Sequence, residues 1–311
     1  MTTSWRRMTP AELGARPVLT ATIGALTIAF SGILVRLADV EPATAAVFRC
    51  AYALPVLGIL ALVEQRRYGG RGGAQRALAV LAGVFFAIDL VLWHHAIAYV
   101  GAGLATVLGN TQVLMVGLTA WLLLGERPSG RILVAVPIAM TGVVLISGVL
   151  GNGAYGDDPA LGVVFGIATA AAYSAFILVL REGNRDIRRP AGPLFDATAA
   201  ATVASLLIGL PLGEIDLVPA WPSHAWLVVL ALSAQVAGWL LISVSLPRLP
   251  AAVTSVVLTI QPIGSVALAM VLLGETPSGV QLLGVAAILA GLVLATVGGR
   301  RVRPAVRPQP A

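Results

Sequence analysis

Arg49 and Asp89 carry formal charges inside long apolar stretches, 43–63 and 77–98. A charge at the bilayer centre costs about 2.5–3.5 kcal/mol even on insertion scales, so each needs a reason to be there. At a helical rise of about 1.5 Å per residue, Arg49 lies roughly 9 Å from the outer end of its segment and Asp89 roughly 13–14 Å from the outer end of its own. The two depths differ by less than one helical turn. The pair is therefore expected either to pair or to share a water-lined cavity. A neutralised pair would only fix helix packing. The functional reading is that Arg49 meets a substrate carboxylate while Asp89 takes a proton or a substrate ammonium.

Uncharged polar residues converge on the same zone. Gln112 and Gln261 fall near the middle of segments 103–124 and 251–273. Ser31, Ser174, Gln235 and Asn110 reach similar depth. Any one of these can be ordinary interhelical hydrogen bonding, worth about 0.6 kcal/mol on average. Scattered glue would be scattered in depth, however, so their convergence favours a polar cavity. Trp93, Tyr173 and Trp239 also lie within spans, where they can pack on a substrate's apolar part, close a gate, or simply fill the core. Pro262, next to Gln261, removes a backbone donor and is expected to kink its helix toward the cavity. His94 and His95 are expected at the outer interface. As neighbours they point about 100° apart on a helix and form no joint metal site. Asp196 is expected in a first helical turn, where its charge suits the helix dipole.

The residue inventory excludes other chemistries. The 20 basic residues are all Arg. Without Lys there is no P-loop for nucleotide phosphates and no Schiff base. A single Cys, Cys50, excludes an intrachain disulfide and a Cys-based metal cluster. The three His lie near the outer boundary and no HExxH is present, which argues against an intramembrane enzyme. The loops are too short for a sensor domain, which argues against a non-transporting scaffold or receptor. No cofactor or metal is expected.

The elements that must position these residues are membrane helices. Of 311 residues, 58% are hydrophobic and 11% charged, against roughly 25% charged in soluble domains. A spanning helix needs about 20 apolar residues. Ten such runs are read: 18–38, 43–63, 77–98, 103–124, 131–149, 160–180, 195–213, 225–245, 251–273 and 280–298. A barrel would show alternation over about ten residues per strand instead of unbroken apolar runs. The first run is too long, and its flank too unlike a cleavage site, for a removed signal. With the N-terminus inside, eighteen Arg fall in inner loops and tails and none in outer loops. That bias places both termini in the cytoplasm and the chain in the plasma (inner) membrane. It also explains the pI near 10.4 without nucleic acid as a partner. The bilayer and a small-molecule substrate are the expected partners.

The chain repeats itself. Leu124-Gly125-Glu126-Arg127-Pro128-Ser129-Gly130 recurs 149 residues later as Leu273-Gly274-Glu275-Thr276-Pro277-Ser278-Gly279. The same offset carries Gln112 onto Gln261 and Gly142 onto Gly291. Phe48-Arg49 falls on Phe195-Asp196, and Phe30-Ser31 is echoed by Tyr173-Ser174. The organisation read from this is a cytoplasmic segment 1–17, a five-helix unit 18–149, an external linker 150–159, a second unit 160–298 and an Arg-rich tail 299–311. Five is odd, so the second unit must cross the membrane in the opposite sense. Inverted halves can exchange conformations, which is the basis of alternating access.

With these residues the chain resembles the drug/metabolite transporter superfamily, of the ten-helix EamA type. The likeness rests on Phe48-Arg49, Leu92-Trp93-His94-His95-Ala96, Ala105-Thr106 with Gln112, and the two Leu-Gly-Glu-x-Pro-Ser-Gly segments. It implies a secondary transporter, many such proteins exporting amino acids or other small metabolites. Arg49 being matched by Asp196 departs from symmetry between the halves, so ligand contacts need not be symmetric. Amines, nucleosides and sugars stay open as substrates. Proton antiport, exchange and downhill facilitation stay open as the drive, and monomer and homodimer as the state.

Overall fold

The computed structural model of the protein describes residues 17–116, 130–150, 153–183, 186, 188–245, 249 and 251–296, with backbone alone for 251–256, 258 and 296. Its regular elements are all helices: α1 (Pro17–Ala29), α2 (Ser31–Ala38), α3 (Pro42–Ala51), α4 (Leu54–Tyr68), α5 (Gly73–Val100), α6 (Ala102–Gly109), α7 (Gly130–Ile146), α8 (Pro159–Gly183), α9 (Ala191–Leu212), α10 (Trp221–Leu230), a π-helical stretch Ala231–Gly238, α11 (Trp239–Ser245), α12 (Ala251–Leu272) and α13 (Gly279–Thr296).

Six of the resulting segments are long and apolar enough to cross a membrane: Pro17–Ala38, Pro42–Tyr68, Gly73–Val100, Pro159–Gly183, Ala191–Leu212 and Trp221–Ser245. Shorter apolar helices cover Ala102–Val116, Gly130–Ile146, Thr259–Leu272 and Gly279–Ala295. Part of the fourth expected run, with Glu126, lies outside the described residues. Side chains such as Ile59 (64% exposed) and Val271 (79%) face outward on this apolar surface, as lipid contact requires. Several helices begin earlier than their hydropathy suggests. Pro193 and Pro222 sit in the first turns of α9 and α10, where a missing N–H breaks no helical bond.

Local chemistry bends the long spans. Pro55 lacks the N–H that would bond the carbonyl of Ala51, four residues back, and α3 ends at Ala51. The bend separates α3, with Arg49, from the lipid-facing α4. Pro262, by contrast, sits within an unbroken α12. The stretch 231–238 is wound as a π-helix, a form enriched at functional sites.

Small residues allow close packing. A Cβ on Gly83 of α5 would come within 2.2 Å of the Ala197 carbonyl oxygen of α9. Gly142 of α7 and Gly284 of α13 approach each other's carbonyls in the same way, at 2.6 and 2.7 Å for a hypothetical Cβ.

Carboxylates tie helix ends together across the chain. At the end of α4, Glu64 accepts hydrogen bonds from the N–H groups of Ala191 (2.9 Å) and Gly192 (2.8 Å), the start of α9. Just past α9, Glu214 accepts from Ala43 at the start of α3 (3.3 Å). Span α3–α4 and α9 therefore run antiparallel, each capping the other. Glu275, past α12, likewise accepts from Ala102 (2.6 Å) and Gly103 (3.2 Å) at the start of α6. Helix N-termini carry unsatisfied donors and partial positive charge, which is what a carboxylate answers.

Candidate functional site

A small cavity of about 60 Å³ lies in the interior, bounded by α1, α2, α3, α5, α6, α8, α11 and α12. Its polar lining is Ser31, Arg49, Asp89, Thr106, Asn110, Thr169, Tyr173 and Gln261, and its aromatic lining Phe86, Trp93, Tyr173 and Trp239. The volume suits a few water molecules. Small-molecule pockets typically enclose about 300–1,000 Å³, so a metabolite requires these walls to separate.

Arg49 is 4% exposed. Its Nε donates to Oε1 of Gln235 at 3.2 Å, and Nε2 of Gln235 donates to the Thr198 hydroxyl at 3.1 Å. The guanidinium carbon lies 5.7 Å from the Trp93 ring centre and 6.0 Å from that of Phe86, within cation–π range. Asp89 lines the same cavity but makes no ion pair with Arg49; the two interact electrostatically at longer range. The cavity, not a contact, is what they share. Arg49 is turned by its amide partner and two ring faces, while Asp89 stands with Phe86, Leu90 and Trp93 on one face of α5.

The aromatic wall is a packed box. Phe86 stacks on Phe176 at 4.5 Å, and Trp239 meets Phe86, Tyr173 and Phe176 edge-on at 6.0, 6.2 and 5.4 Å. The π-helical stretch places Gln235 behind Arg49 and leads directly into Trp239.

Of the residues expected from sequence, Ser31, Arg49, Asp89, Trp93, Asn110, Tyr173, Trp239 and Gln261 line the cavity. Gln235, fully buried, reaches it only through Arg49. Gln112 and Ser174 lie off the lining. The Ser174 hydroxyl donates to the carbonyls of Ala170 (2.7 Å) and Gln112 (3.2 Å), which joins α8 to the chain beyond α6. Ile28, Phe86, Leu90, Thr106, Gly109 and Thr169 complete the lining and were not expected. Phe86 and Leu90 carried a signal, since they precede Asp89 and Trp93 at helical spacing. Thr106 carried one as part of the Ala105-Thr106 motif, whereas Thr169 carried none that distinguishes it from other buried threonines. The Thr169 hydroxyl is buried without a hydrogen-bond partner.

Two neighbouring residues gain partners and one expectation needs correction. His94 is 2% exposed, with Nδ1 2.9 Å from the Pro42 carbonyl oxygen at the start of α3. His95 pairs with Glu214 at 3.1 Å. Asp196 is not in a first turn, because α9 begins at Ala191; it is buried and ion-paired with Arg71 and, at 3.5 Å, with Arg76.

The signature of the EamA-like transporter family matches residues 15–148 and again 160–297. The chain belongs to the EamA-like transporter family. This EamA-like chain is accordingly a multi-pass membrane protein of a transporter family, with the bilayer and a small molecule as partners. It has no match among curated proteins. A solved crystal structure shares the fold with a TM-score of 0.60 at 18% identity, over 90% of this chain and 98% of that one.

Proposed function

We propose that the chain is a secondary transporter that moves a small polar metabolite, an amino acid or a related compound, by alternating access. In this reading ten helices form two inverted five-helix copies, 18–149 and 160–298. Both termini are cytoplasmic, the protein resides in the plasma membrane, and net movement is outward. The antiparallel capping of α3–α4 against α9 supports the inversion, since these are the corresponding segments of the two copies. The direction rests on what the family does.

The observation that carries the proposal is that a guanidinium and a carboxylate face one buried cavity without pairing with each other. Arg49 spends its Nε on Gln235, which leaves its terminal donors and the Asp89 carboxylate to be answered by something that enters. Arg49 meets a substrate carboxylate, oriented by Gln235. Asp89 takes an ammonium or a proton. Trp93 and Trp239 close on the apolar part. The first copy contributes Ser31, Arg49, Asp89, Trp93 and Asn110, and the second Tyr173, Trp239 and Gln261, so relative movement of the copies opens or closes the site. A packing ion pair would need the contact that Arg49 and Asp89 do not make.

The test is substrate counterflow in proteoliposomes against an amino-acid panel. Arg49→Gln and Asp89→Asn are expected to insert stably and to abolish exchange of the responsive substrate. Normal rates in both variants would overturn the assignment.

A further inference from the structure

The arginine-rich end of the bundle holds a second cavity, of about 400 Å³, between the end of α4, the following loop and the start of α9. Arg71, Arg76, Arg189, Glu64 and Asp196 line it, together with the lipid-facing Leu62. Its charges do not balance. Asp196 is shared by Arg71 and Arg76, and nearby Asp186 by Arg188 (2.9 Å) and Arg189 (3.0 Å). Glu64 is committed to the two backbone N–H groups of α9. Among the described residues, four guanidiniums thus face three carboxylates, one of which is also drawn on by two backbone N–H groups. In addition, Nη1 of Arg71 is buried with no hydrogen-bond partner, an unanswered donor in a group that normally finds an acceptor.

Beside the cavity, the ring of Tyr68 gathers Arg67, Arg188 and the lining residue Arg189 at 5.5, 5.5 and 6.0 Å. Tyr within an Arg collar is the composition of a membrane headgroup layer. The side wall is open to lipid: Ile59, Leu62 and Val63 form one face of α4 and are 64%, 56% and 56% exposed. A ligand that suits this place carries an anionic phosphate ester beside apolar chains. Guanidinium forks match phosphate oxygens, and a basic pocket between helices at the headgroup level is how anionic lipid is held.

We propose that this cavity is a defined site for the phosphate of one anionic phospholipid, its acyl chains lying along Ile59 and Leu62. A zwitterionic lipid would bring an ammonium into a site already rich in positive charge. The site differs from general attraction of loop arginines to the bilayer in having walls, a side door and specific donors.

The experiment is thermal unfolding and native mass spectrometry of the full chain in neutral detergent, with phosphatidylglycerol, phosphatidylcholine or inorganic phosphate added. Phosphatidylglycerol is expected to raise Tm and to stay bound at one per chain, and the other two are not. Arg76→Gln and Arg189→Gln are each expected to weaken retention about fivefold, whereas Arg66→Gln, at an exposed arginine in the last turn of α4 and off the lining, leaves it unchanged. Arg71→Gln breaks a buried ion pair and can misfold, so Leu62→Trp serves instead: it narrows the side door without altering charge and is expected to lower retention. Equal stabilisation by phosphatidylcholine, or equal loss with Arg66→Gln, would overturn the site. Stabilisation by inorganic phosphate matching that of phosphatidylglycerol would overturn the lipid assignment.

Discussion

Gln235 is the residue through which the candidate site is held in register. It receives the Arg49 Nε and donates to Thr198, and it has no exposure of its own. Replacing it by Leu leaves a buried guanidinium donor and a hydroxyl unanswered, at about 1–3 kcal/mol. Gln235→Leu is expected to lower Tm and to lose transport together. Arg49→Lys is expected to keep stability closer to the parent while still losing transport, because a point ammonium supplies neither the Nε donor nor a flat face for Trp93 and Phe86. Unfolding curves alongside counterflow read both outcomes. At this scale much is legible in the sequence alone. Arg49 and Asp89 announce themselves because charge inside an apolar run is costly. What was not legible is who answers whom: helical spacing gives depth, and depth left open whether Arg49 and Asp89 touch or only share a cavity, while the amide and two rings beside Arg49 went unread.

At the scale of elements, carboxylates capping distant helix starts are the recurrent device. Glu275 leaves the loop after α12 to accept from Ala102 and Gly103. Glu275→Ala is expected to cost about 1 kcal/mol, as cap removals do, measured by thermal unfolding. Burial outweighs these two bonds in setting its titration, so its carboxyl is raised above the usual range in the folded protein. A raised folded value means that its contribution to stability is fullest while it is protonated, below the unfolded value, and declines as pH rises through the folded one. Tm should therefore fall over that window in the parent, and Glu275→Gln should flatten that part of the profile. Helix contacts make the other prediction here. A side chain at Gly83 meets the Ala197 carbonyl, so Gly83→Leu is expected to cost about 1–3 kcal/mol through overpacking. The repeat of Gly-Glu-x-Pro revealed Glu275 as a marker of duplication, yet nothing in its spacing named its partners. Helix starts were placed at 195 and 225 by hydropathy, whereas the helices begin at Ala191 and Trp221, with Pro193 and Pro222 in their first turns.

For the whole molecule, the decisive relation is between the two copies. Glu64 and Glu214, at opposite ends of α3–α4 and α9, each cap the other's partner helix, which holds the corresponding segments antiparallel. If the copies are inverted across the membrane, Gly70→Cys and Val218→Cys label from opposite faces in intact vesicles, Gly70→Cys from inside; both positions are exposed, and native Cys50 is buried. Labelling of both from one face would overturn the topology. The sequence by itself determined that the chain lives in lipid, that it is a duplication, and that a few polar residues sit at one depth, because hydropathy, repeat offset and rise per residue are properties of a line. Only the tertiary structure decided that Gln112 and Ser174 stand off the cavity while Phe86, Thr106 and Thr169 line it, and that Asp196 serves Arg71. Those are questions of rotation about each helix axis and of distance between helices, and both are set by packing among segments far apart in the chain.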